Sequence, residues 1–106
     1  MIQVTVLKRH KTIYDVRVTG HAYSGEPGFD LVCAGVSSIL TGALNGFDAL
    51  DPDVKLTLTK QPLINIEILT PSELNQKLIE FVLIQLRTVE TAHPQFIEIH
   101  EKEVKS

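Results

Sequence analysis

Cys33 is the one cysteine of the chain, and His21 and Asp30 stand shortly before it. A thiol and an imidazole are the two groups that nucleophilic cysteine chemistry needs. The sulfur attacks a carbonyl carbon, and the ring takes the thiol proton and later gives it to the departing amine. The segment that carries them is Gly20-His21-Ala22-Tyr23-Ser24-Gly25-Glu26-Pro27-Gly28-Phe29-Asp30-Leu31-Val32-Cys33-Ala34-Gly35-Val36-Ser37. It places His21 at the end of an expected strand and Cys33 in about the first turn of an expected helix. A helix N-terminus carries about half a positive charge, which favours thiolate, and its N–H groups could stabilise an oxyanion. Three glycines and Pro27 break every regular period from Gly20 to Gly28. That span therefore reads as a mobile loop able to carry His21 back over the helix start.

Spacing alone leaves other readings open. A single cysteine among Leu31, Val32, Ala34 and Val36 is more often a small buried hydrophobe than a nucleophile. Asp30 could orient His21 or bind substrate, or it could be a plain helix N-cap. Ser37, one helical turn after Cys33, could support the site or only pack. His21, Glu26, Asp30 and Cys33 match no standard zinc pattern, so neither a metal nor another cofactor is expected. His10, His93 and His100 read as turn, helix-end and terminal-strand residues.

Composition narrows the class. With 106 residues, 43% hydrophobic and 22% charged, the chain reads as one compact domain over residues 1–106. A deep cavity would consume much of so small a core, so a site is expected near the surface or between subunits. The apolar runs look too short for a membrane span, and Met1 to Lys8 alternates instead of forming a signal block, so a cytoplasmic protein with no membrane partner is expected. One cysteine makes no internal disulfide. Ten Lys plus Arg against 13 Asp plus Glu, with no Trp, give no basic stripe with interleaved aromatics, and direct nucleic-acid binding is not expected.

The elements that must position these residues follow from periodicity. Ile2, Val4 and Val6 alternate, and Ile13 to Thr19 repeats a β-branched pattern, giving a first hairpin. Phe29 to about Asn45 reads as a helix that Gly46 stops. Its small residues Ala34, Gly35, Ser37, Ser38, Thr41, Gly42 and Ala43 would let it press against a neighbouring backbone. Val54 to Thr59 and Leu63 to Leu69, joined at Lys60-Gln61-Pro62, form a second hairpin. Thr70-Pro71-Ser72-Glu73 offers a Thr cap, a proline at the first helical position and an acid three residues past the cap. The helix it opens should reach Ala92. Leu74, Leu78, Ile79, Phe81, Val82, Leu83, Ile84, Leu86 and Val89 wrap beyond one stripe, so part of this helix is expected to meet a second copy of the chain. Phe96 to His100 makes a last strand. The order ββαββαβ argues for an α+β fold: a mainly antiparallel five-stranded sheet with two helices packed on it.

Gly20-His21-Ala22, then Gly28 and Asp30, then Cys33-Ala34-Gly35-Val36-Ser37 closely resemble the ribosomal-processing cysteine protease family, Prp. Length and element order extend the resemblance along nearly the whole chain, but its specificity lies in these motifs. It implies a cysteine endopeptidase with Cys33 as nucleophile, His21 as base and Asp30 as a further site residue. Gly20, Gly28 and Ser37 match as structural members. The implied substrate is the N-terminally extended form of large-subunit ribosomal protein L twenty-seven, cut after an aromatic pair and before a small residue. A homodimer is also implied. The alternative is a non-catalytic, ribosome-associated binding module in which Cys33 is packing.

Overall fold

The computed structural model describes residues 1–20, 27–59 and 63–104. Along the chain run β1 (Ile2–Arg9), β2 (Thr12–Thr19), α1 (Pro27–Leu50), β3 (Lys55–Leu58), β4 (Leu63–Glu67), α2 (Glu73–Ala92) and β5 (Ile97–Glu103), which is the expected order. The five strands make one sheet ordered β3-β4-β2-β1-β5. β1 with β2, β2 with β4 and β3 with β4 pair antiparallel, while β1 and β5 pair parallel. A parallel pair needs a long crossover, and the final one is supplied through α2. The parallel register sets Ile2 beside Ile97, so the residue before β5, Phe96, arrives at the start of β1. The Ile2 N–H donates to the Phe96 carbonyl at 2.8 Å.

Strand alternation puts Ile2, Val4, Val6, Val16, Val18, Ile64, Ile66 and Ile97 into the core, where Val32, Cys33, Val36, Leu40 and Phe47 of α1 and Ile79, Val82, Leu83 and Leu86 of α2 join them. Each such aliphatic side chain contributes roughly 1.5–3 kcal/mol on leaving water. Gln76 of α2 adds a directional tie to the sheet. Its Oε1 accepts from the Ile13 N–H at 2.9 Å, and its Nε2 donates to the Ile13 carbonyl at 2.8 Å.

Several expected boundaries move. α1 begins at Pro27 and runs through Gly46 to Leu50. Gly46 costs a helix interior about 1 kcal/mol, but the next residue, Phe47, is buried in the core and holds the following turn in place. The stop comes at Asp51-Pro52, since a residue before proline avoids the helical region. Gly35, Gly42 and Gly46 have nothing within 4 Å of where a Cβ would stand, so the small face does not press against a neighbouring backbone. α1 also corrects the expectation that no stretch suits a membrane. Gly28–Leu50 is 23 residues long with hydropathy 1.3, sufficient by length and composition alone. Val32, Cys33, Val36, Leu40 and Phe47 on its buried side join the core with the strands, while most of the stretch is not buried.

The cap of α2 is Ser72, not Thr70. Ser72 Oγ accepts from the Asn75 N–H at 3.1 Å, and Asn75 Oδ1 accepts from the Ser72 N–H at 2.8 Å. Asn75 wins because its amide also donates to Asp51 Oδ2 and to the Thr70 carbonyl, which ties the cap to the end of α1 and to the turn before it. β5 outlasts the expected His100 because it stays paired with β1 as far as Glu103 opposite Lys8. The Lys60-Gln61-Pro62 link lies outside the described residues.

Candidate active site

Two chain segments converge at one end of the sheet. β2 ends at Thr19 and is followed by Gly20, whose φ of +78° suits glycine and whose Cβ, if present, would lie 2.4 Å from the Met1 carbonyl oxygen. Gly20 is therefore seated against the start of β1, and the chain proceeds from there to His21. His21, and with it the expected loop as far as Glu26, lies outside the described residues. On the other side, α1 opens beside Phe96. A Cβ on Gly28 would stand 3.2 Å from the Phe96 ring carbons Cε2 and Cζ. The Phe29 ring lies 5.7 Å from that of Phe96, centroid to centroid, inclined at 57°. Phe29 precedes Cys33 by one helical turn, and both face the core.

Cys33 stands in the second turn of α1, later than the sequence suggests, and is 0% exposed. The field of a helix end fades within its first turn, whereas desolvation acts wherever a charge would be buried. Desolvation wins here. Burial pushes the Cys33 thiol up from its ordinary value, and the Asp30 carboxylate pushes it further. Burial and the Asp30 carboxylate thus oppose the thiolate that a helix start would favour. A protonated sulfur can still be a nucleophile when a base removes its proton as it attacks, which makes an imidazole partner more necessary.

Asp30 lies inside the first turn of α1, so it is not the N-cap. Its carboxylate opposes the Cys33 thiolate electrostatically. Asp30→Asn is expected to lower the Cys33 pKa and so speed alkylation by iodoacetamide at pH 8. A rate–pH profile superimposable on the parent's would contradict that coupling. Ser37, half-buried, lies one turn beyond Cys33. The adjacent Ser38 Oγ donates to the Ala34 carbonyl at 2.9 Å.

The other histidines hold structural places. His10 is in the β1–β2 turn at φ 57°, with its N–H donating to Glu103 Oε1. His93 ends α2 by donating its N–H to the Val89 carbonyl, and His100 Nε2 lies 2.7 Å from Glu98 Oε1. Among the described residues no group of three or more His, Cys, Asp or Glu could hold a metal ion. Phe96 is the site neighbour that sequence reasoning misses. Locally it is only an aromatic at a strand start, and its place beneath α1 follows from the parallel β1–β5 pairing.

Comparison with known proteins agrees with this geometry. The family model described as "Cysteine protease Prp" matches residues 1–98. The ribosomal processing cysteine protease Prp of Mycoplasma pneumoniae is 33% identical over 102 residues, covering 96% of each chain. The essential ribosomal processing protease Prp from S. aureus, solved in complex with a substrate peptide, superposes with a TM-score of 0.86 at 28% identity, covering 96% of this chain and 100% of that one. Its complex with a covalently linked product peptide superposes at 0.84, with the same identity and coverage. The matched family and the shared fold lead to one conclusion: this chain belongs to the Prp family of cysteine proteases.

Proposed function

We propose that this protease removes the short N-terminal extension of large-subunit ribosomal protein L twenty-seven, with Cys33 as nucleophile, His21 as base and Asp30 as a further site residue. One observation carries the assignment of the nucleophile. A cysteine protease needs a thiol, and Cys33 is the single cysteine of this sequence. The S. aureus relative's covalently linked product peptide supports a covalent route on this fold.

The proposed reaction runs in two halves. His21 takes the Sγ proton as sulfur attacks the scissile carbonyl carbon, and the tetrahedral oxyanion collapses with loss of the C–N bond. The imidazolium gives its proton to the leaving amine, which is the new N-terminus of the ribosomal protein. The extension stays on Cys33 as a thioester. His21 then deprotonates a water that attacks the same carbon; the C–S bond breaks and the sulfur recovers a proton. Because Cys33 is wholly buried, peptide binding has to uncover Sγ before attack. A net charge of -3 favours encounter with a basic ribosomal partner.

Intact-mass analysis of the extended ribosomal protein after incubation tests the substrate. One mass loss at the junction after the aromatic pair is expected. An uncut protein, with the enzyme folded and reduced, would reassign the site to a different peptide. The proposed place of action is the cytoplasm.

A homodimer is also proposed. Leu74, Phe81 and Ile84 of α2 are exposed, and a groove of about 280 Å³ between the helices is lined by Ile39, Ala43, Phe47, Leu78, Phe81 and Val82. Three glycines of the facing helix leave its surface open to close approach by a second copy. Phe81→Glu should weaken association by at least about tenfold, seen as a monomer by analytical ultracentrifugation. Sedimentation identical to the parent's would place the contact elsewhere.

A further inference from the structure

Phe96 touches α1, which carries Cys33, and is bonded to the start of β1, against which the chain leading to His21 is seated. Through its backbone, the carbonyl accepts from the Ile2 N–H at 2.8 Å and its own N–H donates to the His93 carbonyl at 3.0 Å, which fixes the start of β1 against the end of α2. The Met1 carbonyl, one residue earlier, is the group against which Gly20 is seated just before His21. Through its ring, Phe96 fills the space where a Gly28 side chain would project and tilts against Phe29 one turn before Cys33. A half-buried aromatic ring packed against a helix in this way sets how closely that helix approaches the strand end beside it. We propose that Phe96 is a positioning residue for the cysteine-protease reaction: its ring and carbonyl together set the spacing between the turn that carries Cys33 and the strand end that leads to His21.

The proposal has a mechanistic consequence. Proton transfer from a buried thiol depends steeply on the distance and angle between sulfur and imidazole, and a shift of about 1 Å at such a pair can cost about 100-fold in rate. Phe96 would therefore act on kcat, while peptide binding, which uses other contacts, would change little. It would also act jointly with Gly28. A methyl group added at Gly28 meets the ring at 3.2 Å, tighter than most real Cβ contacts, so the ring or the first turn of α1 must give by a few tenths of an ångström. A smaller side chain at position 96 would make room for that methyl.

The test is a double-mutant cycle on the full chain using Gly28→Ala, Phe96→Leu and the two combined. It measures kcat and KM for the extended ribosomal protein, the pH profile of Cys33 alkylation by iodoacetamide, and thermal unfolding. Gly28→Ala is expected to lower kcat by about tenfold with KM within about twofold. Phe96→Leu should lower it by about threefold, and the combined variant should recover to about the level of Phe96→Leu alone. The neutral-pH alkylation rate should follow kcat through the series. If the two losses simply multiply, or if unfolding temperatures fall while kcat of the folded protein holds, Phe96 is a stability residue and the proposal is overturned. It rests on the Cys33–His21 reading, yet the two fail separately. Cleavage that survives Cys33→Ala sinks that reading whatever the cycle shows, and multiplied losses sink the role of Phe96 while leaving Cys33 in place.

Discussion

Cys33→Ala is expected to abolish peptide cleavage and leave the fold standing. The rate should drop by about 10⁴-fold or more, since removing a nucleophile leaves only binding and oxyanion contacts to act on the amide. The structural cost is small by comparison. Trading a wholly buried thiol for a methyl removes one heavy atom from the core, worth about 1 kcal/mol of transfer and cavity energy. Circular dichroism and thermal unfolding at pH 7 should therefore show a native variant.

The same substitution should alter the response of stability to alkali. The folded Cys33 pKa is raised, first by burial and then by Asp30. Below the unfolded thiol's pKa of about 8.5, both states hold the proton and the group adds no pH dependence. As pH climbs past that value the unfolded chain releases its proton while the folded one retains it. The unfolded state then binds fewer protons, and stability falls with pH until the folded thiol ionises as well. Cys33→Ala removes this loss, so its stability profile should be flatter than the parent's on the alkaline side. Parallel profiles would show that the thiol is not held neutral in the fold.

His21→Ala is expected to produce the second large effect, a fall in cleavage of roughly 10² to 10⁴-fold, the usual value of a positioned acid–base group. A thiol that rested as thiolate would lose less. Burial pushes the Cys33 thiol up, so loss of its base also weakens the means of making the nucleophile near neutral pH. Alkylation of Cys33 by iodoacetamide should consequently slow at pH 7. It should converge on the parent's rate as hydroxide takes over the proton at high pH. An alkylation rate unchanged at pH 7 would separate His21 from the thiol.

Much of this was legible before any coordinates, for local physical reasons. Ile2, Val4 and Val6 alternate as a half-buried strand must, and they are buried. The element order followed, and with it the α+β sheet. The misreadings occur where a distant contact outranked a local signal. Thr70-Pro71 looked like a helix start, but Asn75 draws the cap to Ser72 through its bonds to Asp51 and Thr70, which no short window displays. Gly46 looked like a stop, yet the burial of Phe47 carries α1 past it. The identity of Cys33, His21 and Asp30 as site candidates came from residue types and motif. The upward push of burial on the Cys33 thiol did not, because it depends on the packing around the second turn of α1. Phe96 was invisible for a related reason: the parallel pairing of β5 with β1 joins residues from opposite ends of the chain.

The central claim is that the Cys33 sulfur bonds to the carbonyl carbon at the cleavage junction. A peptide reproducing the extension up to the aromatic pair, with a chloromethyl ketone in place of the scissile amide, presents that carbonyl to the same sulfur, which displaces chloride from the adjoining methylene carbon and leaves a stable thioether. Intact mass and fragment mapping after incubation should show one label per chain on Cys33, with activity lost in step with labelling. A label on any other residue, or full cleavage activity from protein labelled at Cys33, would contradict the mechanism.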